Sequence, residues 1–266
     1  MYNRITALAR RKDELATLIQ QQTGFQPDRH GFRFANRFPD VPVFKLLGVR
    51  IPPSAARGLC GGMVYAALDY YSAGAELPPV ERLFAEDGTI LPETEWLLDF
   101  IVRRLVASFN VLDFRNGALN YYRLMRPGFP DACPVDPDPR RAPRSRAWTM
   151  VRVEWPLIRA KLDAGQPVPL GLVRAKLAKF AGPRAIVAAY QQDHQVLAYG
   201  YDLEGNALTL RVYDPNHPGD GGVGLRLDVA DPGQPVPVRL FVGEKEKGEV
   251  QCFFHTRYRK ASPPAR

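Results

Sequence analysis

Gly58-Leu59-Cys60-Gly61-Gly62-Met63-Val64-Tyr65-Ala66-Ala67-Leu68-Asp69-Tyr70-Tyr71-Ser72-Ala73-Gly74 carries a single charged residue, Asp69, over its whole length. A helix apolar on nearly every side belongs in the middle of a fold rather than on its surface, so this stretch reads as a buried central helix beginning near Cys60. Gly61 and Gly62 are poor helix residues, at about 1 kcal/mol each relative to alanine. Lacking side chains, they are expected to leave the Cys60 thiol open to a substrate backbone. The start of a helix also supplies unpaired N–H groups and the positive end of the dipole, which favour a thiolate and an oxyanion alike.

Upstream of this helix, Ile5, Leu8, Leu15, Leu18 and Ile19 among charged neighbours predict a helix over 3–22, with Gly24 to stop it. Residues 25–58 carry prolines and a short alternating piece, Gly31-Phe32-Arg33-Phe34-Ala35-Asn36-Arg37-Phe38, and read as a wrapped extension with one strand. Downstream, helices are predicted over 93–109, with Leu97, Leu98, Ile101, Leu105 and Val106 on one side, around 116–125, and over about 154–164, where Pro156 falls in the first turn and Gly165 ends the element. A Pro/Arg-rich segment, 127–146, interrupts them. From 167 onward the period is that of strands: 168–173, 185–190, 194–201, 208–213, 223–229, 236–242 and 250–258. Helices first and antiparallel strands second make an α+β protein, a helical lobe with a buried cysteine helix plus an antiparallel β-sheet lobe. The chain divides into an N-terminal helix and extension (1–50), a main domain (51–258, with a helical part 51–127, a Pro/Arg-rich connection 128–148 and a β-rich part 149–258) and a tail (259–266).

Composition narrows the function classes. The 266 residues are 45% hydrophobic and 24% charged, an ordinary globular balance. Three scattered cysteines, Cys60, Cys133 and Cys252, build neither a disulfide framework nor a four-cysteine zinc site, and point to a reducing, cytoplasmic setting. No apolar run approaches the ~18–20 residues of a membrane span, and the first residues lack a signal-peptide pattern, so a soluble, unprocessed chain is expected. Lys and Arg number 36 against 28 Asp and Glu, but the densest run, Arg140-Arg141-Ala142-Pro143-Arg144-Ser145-Arg146, has no interleaved aromatic residue. It reads as a solvated loop, not a nucleic-acid interface. Asp214 to Leu225 begins like a calcium loop, yet Pro218 takes a ligand position and Leu225 the closing glutamate position. Phosphate-binding and dinucleotide fingerprints are absent. No metal and no cofactor are expected.

A nucleophilic thiol needs a base, and the base an orienting acceptor. The histidines are His30, His194, His217 and His255. His194 opens the apolar strand His194-Gln195-Val196-Leu197-Ala198-Tyr199-Gly200-Tyr201, and the next strand ends at Tyr213-Asp214-Pro215-Asn216. A hairpin turning at Glu204-Gly205-Asn206 pairs residues whose numbers sum to about 410, with Gly205 at its centre. That places Asp214 almost opposite His194 at the open end of the hairpin, where a carboxylate fixes an imidazole tautomer and stabilises the imidazolium.

Leu59-Cys60-Gly61-Gly62-Met63 opening a buried helix, followed by His194-Gln195-Val196-Leu197-Ala198-Tyr199-Gly200-Tyr201 and then Val212-Tyr213-Asp214-Pro215-Asn216, resembles the papain-like cysteine peptidase superfamily. The motifs are nearest to the bacteriocin-leader (double-glycine) peptidases. The order Cys, His, Asp and a separation of 134 residues (194 − 60) suit that superfamily, whose papain branch spaces the pair by ~130–150. Over about 54–258 the resemblance implies a left lobe built on the cysteine helix, a right lobe of antiparallel strands and a cleft between them. Cys60 would be the nucleophile, His194 the base and later acid, and Asp214 the orienter of a hydrolase or acyltransferase taking a peptide or other amide. The family's oxyanion glutamine, about six residues before the cysteine, is Ser54 here. Ser54, Arg57 and Gln192 are the candidate replacements, and the substitution leaves open a papain-like fold used as a non-catalytic binding module.

Overall fold

The computed structural model describes residues 17–46, 49–110, 117–134 and 145–264. Strand β1 (Leu18–Gln22) leads into a single turn, α1 (Pro27–His30), and a hairpin of β2 (Pro42–Leu46) and β3 (Val49–Ser54). Helices α2 (Cys60–Ala73), α3 (Glu95–Phe109) and α4 (Ala118–Met125) follow. Then α5 (Arg146–Trp148) runs through a π-helical stretch, Thr149–Glu154, into α6 (Trp155–Asp163). Strand β4 (Val168–Val173), helix α7 (Pro183–Tyr190) and strands β5 (His194–Glu204), β6 (Ala207–Tyr213), β7 (Val223–Asp228), β8 (Val238–Val242), β9 (Lys245–Val250) and β10 (Cys252–His255) complete the order. The protein is α+β, with its strands from β4 onward curled into a half-barrel.

The large sheet runs β10-β4-β5-β6-β7-β8-β9, every pairing antiparallel, and β1 lies beside β5. Two cores meet at β5. Inside the curl of the sheet, Val196, Ala198, Leu210, Val212, Leu225, Phe253 and Phe254 pack with Trp155, Ile158 and Leu162 of α6 and with Leu124 of α4. On the other side, Leu197, Tyr199 and Tyr213 join Met63 and Val64 of α2 and Leu97, Leu98 and Ile101 of α3. Burial on both faces accounts for the unbroken apolar run at the start of β5. Phe25, Phe32 and Phe34 of the extension enter the second core, so the wrapping segment is part of the packing around α2. The C-terminal tail closes the same core. Asp69, the lone charge of α2, pairs with Arg104 and accepts from the Tyr258 hydroxyl at 2.6 Å and the Ala261 N–H at 2.8 Å.

Four sequence expectations change. Leu18–Gln22 is a strand rather than the end of a helix; the earlier part of that predicted helix, before residue 17, lies outside the described residues. Strand β4 pairs with β5 only over His194–Ala198, and β1 takes up the hydrogen-bonding groups left along Gly200–Glu204. That need outweighs helix propensity, and Leu18 and Ile19 stay largely exposed. Residues 185–190 belong to α7, a helix with Pro183 in its first turn and only Ala189 fully buried; the alternation is that of a solvated helix, not a strand. Gly31–Phe38 is not a strand, and the pairing in the extension is the β2–β3 hairpin instead. The strand expected over 250–258 turns a corner at Gln251, whose N–H bonds the Val173 carbonyl at 2.8 Å, and the charged β9 before it lacks the apolar signal of a strand. Among the described residues no helix is long and apolar enough to cross a membrane.

Candidate active site

Cys60 is the first residue of α2, preceded by the tight turn Ala55–Arg57 and by Gly58 at φ +83°. Gly61 and Gly62 point into the protein, not toward the thiol's approach. A Cβ on Gly62 would stand 2.2 Å from the Ile101 carbonyl oxygen of α3, and one on Gly61 would stand 2.3 Å from Ser108 Oγ and 2.7 Å from Gln195 Nε2. The expectation that the two glycines bare the thiol is therefore corrected: they let α2 lie against α3 and the start of β5.

His194 opens β5 and is held inside the protein, only 5% exposed. Asp214, the first residue beyond β6, brings Oδ1 to 2.6 Å from His194 Nε2. The hairpin register begins at the sum 411 (Glu204 opposite Ala207), and an irregularity between Ala198 and Gly200 changes it to 410. Continued outward, 410 sets Asn216 across from His194, and the Asn216 side-chain amide does lie 3.2 Å from the same Nε2. With Nε2 engaged on that side, Nδ1 is the ring nitrogen left for Cys60, whose thiol is within hydrogen-bonding reach of the ring.

The electrostatics follow from these contacts. Burial works against charge on all three groups, and their mutual attraction overcomes it. The Cys60 thiol is lowered despite burial, by the His194 charge and hydrogen bond and by the backbone N–H groups of Gln195 and Gly61. The imidazole is raised, again against burial, by Asp214 and Cys60. The Asp214 carboxyl is held low, against burial, by His194 and the Asn216 N–H. The arrangement favours a thiolate beside an imidazolium.

A surrounding frame fixes the imidazole. The Tyr121 hydroxyl of α4 donates to the His194 carbonyl at 3.2 Å. Asp193 accepts the Arg174 N–H at 2.9 Å, tying the end of β4 to the start of β5; burial, opposed by the Arg174 and Ala175 N–H groups, pushes its carboxyl up to about 7. Gln195, on the opposite face of β5 from Val196, donates to Ser108 Oγ at 3.2 Å beneath Gly61. The other histidines serve elsewhere. His30 Nδ1 accepts the Gln26 N–H at 2.8 Å, His255 Nδ1 pairs with Glu154 at 2.6 Å, and His217 lines a cavity of about 280 Å³ together with Asp214 and Asn216.

An apolar cleft of about 340 Å³ is lined by Ser54, Gly58 and Leu59 from the turn before α2, by Leu105 and Phe109 of α3, and by Val187 and Tyr190 of α7. Among the candidate oxyanion donors, Ser54 lines this cleft while its Oγ accepts the Ala56 N–H at 3.1 Å. Gln192 turns its amide back to the Ala188 carbonyl, and Arg57 ends the turn before α2. Among the described residues no three His, Cys, Asp or Glu side chains converge as a metal site. The sequence alone does not point to Asn216 or Tyr121 as neighbours of His194, although for Asn216 the hairpin sum itself was a usable signal. The chain matches no protein-family model, no curated protein and no solved structure.

Proposed function

We propose that the protein is a papain-like thiol hydrolase acting on a peptide or other amide, by hydrolysis or related acyl transfer, with Cys60, His194 and Asp214 as its triad. The observation that supports this reading is one buried imidazole, held at Nε2 by Asp214 at 2.6 Å and close enough to Cys60 to lower its thiol. The Cys60 thiolate attacks the amide carbonyl, and the helix-start N–H of Cys60 faces the developing oxyanion. The His194 imidazolium then gives its proton to the departing amine. Water entering in the amine's place loses a proton to His194 as it attacks the thioester, which releases the carboxylic acid and restores the thiolate–imidazolium pair. Asp214 keeps Nε2 on its own side throughout, so that Nδ1 serves the reaction. Ser54 is the second oxyanion donor in this scheme, and the apolar cleft lined by Leu105 and Phe109 receives an apolar group of the acyl portion. A working thiol must stay reduced, which suits a cytoplasmic setting.

The test is turnover of a panel of peptidyl aminocoumarins with apolar, polar and charged residues at the two positions before the scissile bond. Apolar members are expected to be cleaved fastest. Cys60→Ala is expected to abolish turnover, and Asp214→Asn to lower it by about 10²-fold or more. Release of aminocoumarin by the wild type at the Cys60→Ala rate on every member, with no acyl adduct on Cys60 by mass spectrometry, would overturn the proposal.

A further inference from the structure

Asn36 lies in the extension between Phe34 and Phe38, far in sequence from Cys60 and His194, and touches both sides of the site. Its Oδ1 accepts the N–H of Leu59, the residue before Cys60, at 2.6 Å. Its Nδ2 donates to Asn216 Oδ1 at 3.2 Å, and its own N–H donates to the Pro215 carbonyl at 2.8 Å. Gly58 lies against the same amide, where a Cβ would come to 3.0 Å from Nδ2. Asn216 carries the connection on: its N–H donates to Asp214 Oδ1 at 2.8 Å, and its side chain lies 3.2 Å from His194 Nε2. One half-buried side chain thus spans from the start of the cysteine helix to the loop that orients the imidazole.

From this geometry we infer that Asn36 is a positioning residue which sets the separation of the Cys60 sulfur and the His194 ring by clamping Leu59 to the Asp214–Asn216 loop. The inference rests on the thiolate–imidazolium reading of the site. The bonds from Asn36 run to the backbone one residue before the nucleophile and to the loop holding the base, the two places from which their relative position can be fixed. The 2.6 Å bond also satisfies the Leu59 N–H, one of the donors that a helix start leaves without an intrahelical partner. The other groups facing Cys60 leave this role vacant. The Gly61 and Gln195 N–H groups point at the sulfur, and Tyr121 holds the His194 carbonyl. None of these three joins α2 to the 214–216 loop.

The experiment is the pH profile, from 5 to 10, of Cys60 alkylation by iodoacetamide, read by mass spectrometry in wild type, Asn36→Ala, Asn36→Asp and His194→Ala, with circular dichroism on each. Asn36→Ala is expected to react about tenfold more slowly than wild type at pH 6 and to regain the wild-type rate near pH 10, a displacement of the profile rather than a uniform loss; tenfold corresponds to one pK unit. Asn36→Asp keeps the acceptor for Leu59 and, once the Asn216 amide turns over, its second bond, so its profile should lie between the two. An Asn36→Ala profile superposed on wild type while that of His194→Ala is displaced overturns the role of Asn36 and leaves the site reading intact. A loss uniform across pH also overturns it, since access rather than alignment would then have changed. If His194→Ala too matches wild type, the site reading itself fails. Should Asn36→Ala not fold, Asn36→Asp decides on the same criteria: displacement supports the clamp, and coincidence with wild type overturns it.

Discussion

His194→Ala is expected to slow iodoacetamide alkylation of Cys60 about 30-fold at pH 6. The thiolate is the reacting species, and an ordinary cysteine with a pKa near 8.5 is only about 0.3% ionised at that pH. A thiolate already formed by ion pairing gains roughly 300-fold from ionisation, and its lower intrinsic nucleophilicity takes back about tenfold. The sign follows from the site. Cys60 is lowered and His194 raised, so between those two values the pair exists as thiolate and imidazolium, and the wild-type rate stays high through neutral pH. Without the imidazolium, burial, which raises the thiol, is opposed only by the Gly61 and Gln195 N–H groups. The variant's curve therefore climbs at higher pH and meets the wild type only in alkali. Cys252 is an internal control, fully buried and pushed up to about 12 by that burial, and it should stay unmodified while the fold holds. Coincident wild-type and variant curves at Cys60 would show that the thiol is not activated by His194.

Gly62→Ala is expected to destabilise the protein by about 2 kcal/mol, opposite in sign to the rule that alanine strengthens a helix. Helix propensity alone would favour alanine by about 1 kcal/mol. Against that stands a methyl group 2.2 Å from the Ile101 carbonyl oxygen, a backbone atom in the middle of α3 that no rotamer change can move aside. Accommodating it forces α2 and α3 apart through a fully buried contact between Met63, Leu97 and Ile101, and overpacking of that kind costs about 1–3 kcal/mol or more. The measurement is the urea midpoint at unchanged m-value. Gly128→Ala, where a Cβ has open space, is the matched control and should stay within about 0.5 kcal/mol of wild type. Stabilisation by Gly62→Ala would refute the close approach of the two helices.

The same glycines show where sequence reasoning stopped. Their position after Cys60 was readable, but whether they faced substrate or protein depended on α3 and β5, which arrive from elsewhere in the chain. Helix α2 was legible because its burial is nearly uniform around the axis, and α3 because its apolar residues keep a helical period. The β5–β6 hairpin was legible from Gly205 outward, and with it the pairing of His194 and Asp214, because a hairpin's register is local arithmetic. Strand β1 was not, since Gln20-Gln21-Gln22 becomes a strand only where β4 leaves half of β5 unpaired. Asn36 illustrates the general case: a polar residue in an irregular segment carries no period and no motif, and its bonds to Leu59, Pro215 and Asn216 form only once the chain is folded.

The entry of residues 25–34 and of the segment from Tyr258 to Ala261 into the core around α2 bears on how the molecule comes apart. Residues 25–34 arrive from β1 on the sheet, and the tail from Tyr258 to Ala261 arrives from β10, so the core around α2 is completed by two segments that begin on the sheet. Neither half keeps its packing once separated: a fragment ending near residue 127 lacks Leu197, Tyr199, Tyr213 and Tyr258, which pack in the core around α2, and the remainder lacks β1 beside β5 and Tyr121, Leu124 and Met125 in the sheet core. Partial unfolding around one core would thus withdraw part of the other's packing, and heat or denaturant should dismantle both in one cooperative transition. A site assembled across such a laced structure keeps its spacing until the whole molecule yields.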